Sequence, residues 1–217
     1  MGHVVKDLDW CTIDIDTGAG FVFFQERWKY EWLLTDSLPA WTYAEKKKFH
    51  DSADHAIWRA WSFKAKLAVA GSSAFARRFV GKGIPINLDI RWVLKDEHWN
   101  VKVYKVPKGQ FRTSNVNWTS RIIEFDTNDF DVRNFENGDD PDTKQIAVAH
   151  EFGHAIGNSK HVHEHRGDEY KADHPNVHDH GSIMNHGNQL RSRHFQTIIE
   201  EMNKMIPDTT FSIKSLS

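Results

Sequence analysis

The segment AVAHEFGHAIGN, from Ala147 to Asn158, sets His150 and His154 four residues apart. In a helix that spacing projects both imidazoles from one face, so they can converge on one cation. Glu151 follows His150 directly and falls beside such an ion rather than on it. From there its carboxylate can take a proton from a water acidified by zinc, which is the chemistry of a hydrolytic metal site. Gly153 adds no side chain to obstruct, and Ala147, Ala149 and Ala155 allow close packing around the helix. The pattern His-Glu-x-x-His arises by chance in roughly one chain in twenty of this size and composition, so its setting must decide. The setting agrees with a metal site. Asp142 can cap the helix with Gln145 at the third helical position, and Gly157 stands where a glycine stop turns the chain back.

Other elements must hold that helix in place. The best helical stretch is SLPAWTYAEKKKFHDSADHAIWRAWSFKAKLAVA. Thr42 and Glu45 form a capping box there, and Phe49, Ala53, Ala56, Ile57, Ala60 and Trp61 recur at helical spacing. Lys46, Lys47, Lys48, Arg59, Lys64 and Lys66 read as a solvated face rather than a basic binding surface. Upstream, DWCTIDIDTGAGFVFF alternates around Ile13 and Ile15 before a glycine turn, which predicts a strand or an extended arm. GKGIPINLDIRWVLKDEHWNVKVYKVPKG reads as two strands joined by a turn near Lys95 to Glu97, and SRIIEFDT, Ser120 to Thr127, as a third. NDFDVRNFENGDDPD lacks the spacing of a calcium loop and reads as a solvated loop. RHFQTIIEEMNKMIP predicts a last helix with Ile198, Ile199, Met202 and Met205 inward and a stop at Pro207. Helix, strands, helix, irregular segment, helix is the order of a single α+β domain over residues 1–217, with an N-terminal arm over about 1–40 and a catalytic core over about 41–207.

Composition sets the bounds. The 217 residues are 39% hydrophobic with 9 Trp, enough for one substantial core. A formal net charge of −2 argues against a general affinity for nucleic acid or anionic membrane. The single Cys11 excludes an internal disulfide framework, and no apolar run approaches a membrane span. Val4-Val5 is followed at once by Lys6, Asp7 and Asp9, which is no signal-peptide pattern. Met1-Gly2-His3 looks like a cloning start, so the chain is expected to be a piece of a longer protein.

HEFGHAIG followed by GSIMNHG resembles the zincin metallopeptidases, specifically the metzincin-like ones, in which a Ser-x-Met turn lies under the zinc; Met184 would be that methionine. HEFGH, GDEY and RSRHF together further resemble metallopeptidase toxin domains at the C-termini of VgrG spike proteins in bacterial type VI secretion. These motifs lie between Ala147 and Phe195, under a quarter of the chain. The resemblance implies a zincin-like α+β fold: a small twisted sheet, a long N-terminal helix, the HEFGH helix, a Met-turn and a C-terminal helix. It implies a Zn2+ cofactor and a protein or peptide substrate. It also implies a secreted effector, delivered into a periplasm or host cell on a fused or associated spike protein and countered by an immunity protein. Two rivals stay open: a binding module with structural zinc, and a peptidoglycan hydrolase.

One position departs from that pattern. Metzincins place their third ligand three residues after the glycine, where this chain has Lys160. The candidates are His161, His163, His165, Asp168 and Glu169, with His174, His178, His180, His186 and His194 farther along. GDEY resembles a displaced form of the toxin domains' carboxylate, which favours Glu169 over the alternatives Asp168 and His161. His194 reads as a helix-start histidine or as a donor to the oxyanion formed when water attacks a peptide carbonyl, and the second role is assigned to it; Tyr170 is the other candidate donor. Ser120 to Asp126 is the candidate edge strand for an extended substrate.

Overall fold

Alternation near the N-terminus builds sheet rather than an arm. In the computed structural model, which describes residues 2–35, 38–135 and 143–217, β1 (His3–Asp7), β2 (Thr12–Asp16) and β3 (Phe21–Leu34) precede the first helix. Along β3 the side chains of Val22, Phe24 and Trp28 are fully buried while the residues between them are half-buried, apart from Glu26, a buried carboxylate. That period of two is the mark of a strand with one face on the core. Helix α1 (Tyr43–Trp61) follows, then β4 (Ala65–Gly71), α2 (Ala74–Phe79), β5 (Ile84–Trp92), β6 (Trp99–Lys105), β7 (Asn115–Asn117) and β8 (Ile122–Asp126). A ribbon of β9 (Arg133–Asn134) and β10 (Lys144–Gln145) leads into α3 (Ala147–Ala155). After a long irregular segment come a 3-10 turn (Ser192–Phe195), α4 (Gln196–Met202) and β11 (Thr209–Leu216).

Among the described residues nine strands form one mixed sheet in the order β11-β4-β5-β3-β6-β8-β7, with β2 on β3 and β1 on β2. The long β3 organises it. It runs parallel to β5 from Val22 to Trp28 and parallel to β6 from Trp28 to Leu34, while β2 lies antiparallel on its first half. The strands expected on either side of Lys95 to Glu97 are present, but they flank β3 instead of pairing with each other. Asp96 takes a φ of 58° in that turn, a left-handed conformation that a short polar side chain tolerates.

This architecture corrects the zincin-like expectation of a small sheet behind a long N-terminal helix. The sheet has nine strands, three of them ahead of α1, and the helices after α1 span only 6, 9 and 7 residues. The residues assigned to an N-terminal arm supply the central strand. The capping box of Thr42 and Glu45 is present, yet the helix stops at Trp61, and Phe63 sits at a φ of 59°. Beyond it Ala65, Leu67 and Val69 are buried in alternation, so the chain pairs with β11 rather than continuing the helix. Strand β11 itself, in TTFSIKSL, was not anticipated. Strand β8 lies between β6 and β7 and is no edge; β7 takes that place.

The core fixes α3 from two sides. Trp61 donates its indole N–H to the Ala149 carbonyl at 2.9 Å. Phe152 meets Phe24 of β3 edge-on, with Trp61 against it as well. Among the described residues no helix is long and apolar enough to cross a membrane.

Candidate metal centre

Helix α3 starts later than its sequence suggested. Its first residue follows Ile146, Gln145 is the last residue of β10, and Asp142 lies outside the described residues. Gln145 is turned inward, its amide donating to the Asn185 carbonyl at 2.6 Å. The other end is as expected: Gly157 has a φ of 102°, where an L side chain is strained, and a Cβ there would strike Thr197.

The two imidazoles face each other, Nε2 to Nε2, at 3.2 Å. His150 Nδ1 lies 2.7 Å from the Ile183 carbonyl and His154 Nδ1 2.6 Å from the Asn158 carbonyl. A carbonyl can only accept, so each Nδ1 carries its ring proton and each Nε2 presents a lone pair. Asp168 brings a third acceptor, with Oδ1 2.9 Å from His154 Nε2 and 3.5 Å from His150 Nε2. Lys171 holds the other carboxylate oxygen. Three acceptors so close repel one another unless a cation lies among them.

Zinc suits this cluster in size and chemistry. Ligands at about 2.0–2.1 Å from a tetrahedral zinc stand about 3.3 Å apart. The separations here are 3.2, 2.9 and 3.5 Å. Two imidazoles with one carboxylate also fit zinc better than calcium or magnesium, which prefer oxygen throughout. His150, His154 and Asp168 form the one such group among the described residues. Three protein ligands are the number that leaves a fourth position to water.

A proton takes the cation's part when no metal is bound. Burial lowers the pKa of His154, but the Asp168 hydrogen bond and the charges of Glu151 and Asp168 outweigh it and hold it at about 9. Burial pushes the Asp168 carboxyl the other way, and the two imidazoles beside it, with His154 carrying the proton, hold it well below the usual carboxylate range. The folded pKa of His154 is thus above its ordinary 6.5. In chelator, the stability this adds should be complete below pH 6.5 and lost as pH rises through about 9. A zinc ion bound there would have to displace the same proton, so its affinity should climb about tenfold per pH unit over that window. Thermal unfolding with and without zinc checks both trends, and a flat metal-free profile would detach the pair from folding.

No family model, curated protein or solved structure matches this chain. The likeness to metallopeptidases therefore rests on the short motifs alone.

Glu169, the favoured third ligand, is turned away from the imidazoles. Its carboxylate forms a two-point pair with Arg193 at 2.6 and 2.7 Å, and Arg193 also reaches Asp179 at 2.6 Å. In this turn Asp168 is aimed at the imidazoles and Glu169 at Arg193. The Glu169 backbone N–H donates to the Met184 carbonyl at 2.8 Å, tying GDEY to the SIM segment. Met184 packs beneath α3, where a Cβ on Gly153 would come within 2.3 Å of its Sδ. His161 is exposed and touches neither imidazole, and Lys160 pairs with Asp173.

His194, to which the oxyanion role was assigned, is placed among protein partners. The side chain is buried, its Nδ1 accepts the Arg191 backbone N–H at 3.0 Å, and its Nε2 lies 3.1 Å from Ser182 Oγ. The first bond fastens the start of the last helix, and the second ties it to the SIM segment.

Tyr170 is better placed. Its ring lies over His150 at 6.3 Å between centroids, and the charge of Asp168 bears on its hydroxyl. Burial, then the charges of Asp168 and Glu151, keep that hydroxyl protonated well above its ordinary range. His186 stacks on Tyr170 at 5.2 Å and Phe135 on His186 at 4.5 Å, a ladder that the sequence did not suggest. Glu151 is buried and makes no hydrogen bond among the described residues. Its charge acts on both His154 and Tyr170, so it shares their space. Asn158 was also missed, although it directly follows the glycine stop. Besides receiving His154 through its carbonyl, it donates to the Gly153 and His194 carbonyls at 2.9 and 3.0 Å.

Proposed function

We propose that this protein is a zinc-dependent peptide hydrolase in which His150, His154 and Asp168 hold the metal. The observation that supports it is the convergence of two Nε2 lone pairs and one carboxylate oxygen, with the unbonded Glu151 carboxylate alongside. A bound zinc supplies Lewis acidity, bringing the pKa of a water down toward about 7. Glu151 accepts the proton from that water as it attacks the peptide carbonyl, then passes it to the departing amine. The Tyr170 hydroxyl, which stays protonated at neutral pH, donates to the oxygen on which negative charge develops. Strand β7 offers the free sheet edge beside α3 on which an extended substrate can pair.

A purely structural zinc is less well supported, since no fourth protein ligand joins the cluster among the described residues. Peptidoglycan is the rival substrate, because the same attack would cleave its peptide stems. Delivery on a spike protein and control by an immunity protein belong to the same proposal and rest on the motifs alone. The test is metal content on purified protein, followed by assays on unfolded protein and on peptidoglycan. Tyr170→Phe should lower turnover by roughly 10²–10³ while the zinc content stays at the parent level. Protein that cannot be loaded with zinc would remove the reading altogether.

A further inference from the structure

A groove of about 1210 Å³ runs along the outward face of α1, and none of the metal-centre side chains lines it. Its floor is apolar, made by Ala56 and Ala60 of α1 with Ile146, Ala149, Ile183 and Leu190 opposite. Ser52, Ala56 and Ala60 recur every fourth residue, and this row of small side chains lets another backbone approach α1 closely. The volume exceeds the roughly 300–1,000 Å³ usual for a small-molecule site, which favours a polymer segment.

Charge narrows the choice. Lys48, Arg59, Lys64 and Lys144 all line the groove, and none has an ion-pair partner among the described residues. Lys47 and Asp51, also on this face, neutralise each other at 2.5 Å. Four cations around one groove, unpaired among the described residues, contrast with the formal net charge of −2 for the whole chain. The basic residues of α1 are thus not all one solvated face: Lys46 lies over the Trp32 ring, whereas Lys48 and Arg59 frame the groove. An apolar floor within a cationic rim is the complement of an amphipathic helix with acidic flanks.

We infer that this groove docks an acidic amphipathic helix of a partner protein, at a site separate from the metal centre. The probe is a fluorescent helical peptide about as long as α1 with a leucine face and glutamate flanks. Its twin carries lysine in place of glutamate, and a single-stranded oligonucleotide is the third ligand. Anisotropy is read with chelator present throughout, so that the metal centre contributes nothing. The acidic peptide should bind, and more weakly as salt is raised. Lys48→Glu with Arg59→Glu should weaken it by about tenfold or more and shift preference to the lysine twin. Both positions are exposed, and the gain for the twin also shows that the variant is folded. Ala56→Phe should block both peptides by filling the floor. No preference for the acidic peptide, tighter binding of the oligonucleotide, or indifference to Ala56→Phe would each overturn the assignment.

Discussion

Glu151→Gln should keep the fold and the zinc while lowering peptide hydrolysis by roughly 10²–10⁴, the usual contribution of a general base. The amide has the same shape as the carboxylate but cannot accept the proton. Little stability is at stake, because the Glu151 carboxylate makes no hydrogen bond among the described residues. The substitution does remove a charge that helps to raise the pKa of His154. Zinc and proton would then both bind less firmly, and the two losses partly cancel in the apparent metal affinity. Hydrolysis of an unfolded protein substrate, measured beside zinc content and thermal unfolding, separates these effects. Parent-level hydrolysis in the Gln variant would take Glu151 out of the mechanism, and loss of zinc would make it a ligand. If neither substrate is cleaved by the parent while zinc is retained, the metal is structural.

The parts of this molecule that could be read from sequence are those fixed within one or two helical turns. The capping box at Thr42 and Glu45, the four-residue step from His150 to His154 and the glycine stop at Gly157 are all of that kind. Pairing between distant strands is not. The alternation in β5 and β6 identifies strands, but that both lie parallel to β3, meeting at Trp28, depends on partners far along the chain. The same limit explains the arm that became a central strand, since alternation cannot say how many neighbours a strand will have. It also explains the run from Ala65 to Gly71, whose small and apolar residues suit a helix until β11 arrives beside it. Within the site, GDEY lies beside the histidines, but spacing gives reach and not direction. Arg193 and Asp179 decide the direction, and both come from segments that carry no local signature for the task.

That difference in direction predicts opposite behaviour for two adjacent carboxylates. Asp168→Ala removes the oxygen 2.9 Å from His154 Nε2 and should reduce zinc affinity well beyond the ~10–100-fold typical of residues that only support a ligand. Its effect on the metal-free fold should be smaller, because the raised pKa of His154 relaxes once its partner is gone and the imidazole can discharge. Glu169→Ala should do the reverse. It strands Arg193 beside Asp179 alone and frees the segment that holds Asp168 in place, so zinc affinity should fall only within that ~10–100-fold range. Stability should suffer more. Breaking a buried pair costs about 3–5 kcal/mol, and the lower end applies because Arg193 is 31% exposed. For a chain of this length that lowers the melting midpoint by on the order of 10 °C. Chelator competition and metal-free thermal unfolding, run on both variants, give four numbers that two roles must explain. If Glu169→Ala loses zinc while Asp168→Ala keeps it, Glu169 is the ligand, and the carboxylates must exchange orientations when the metal binds.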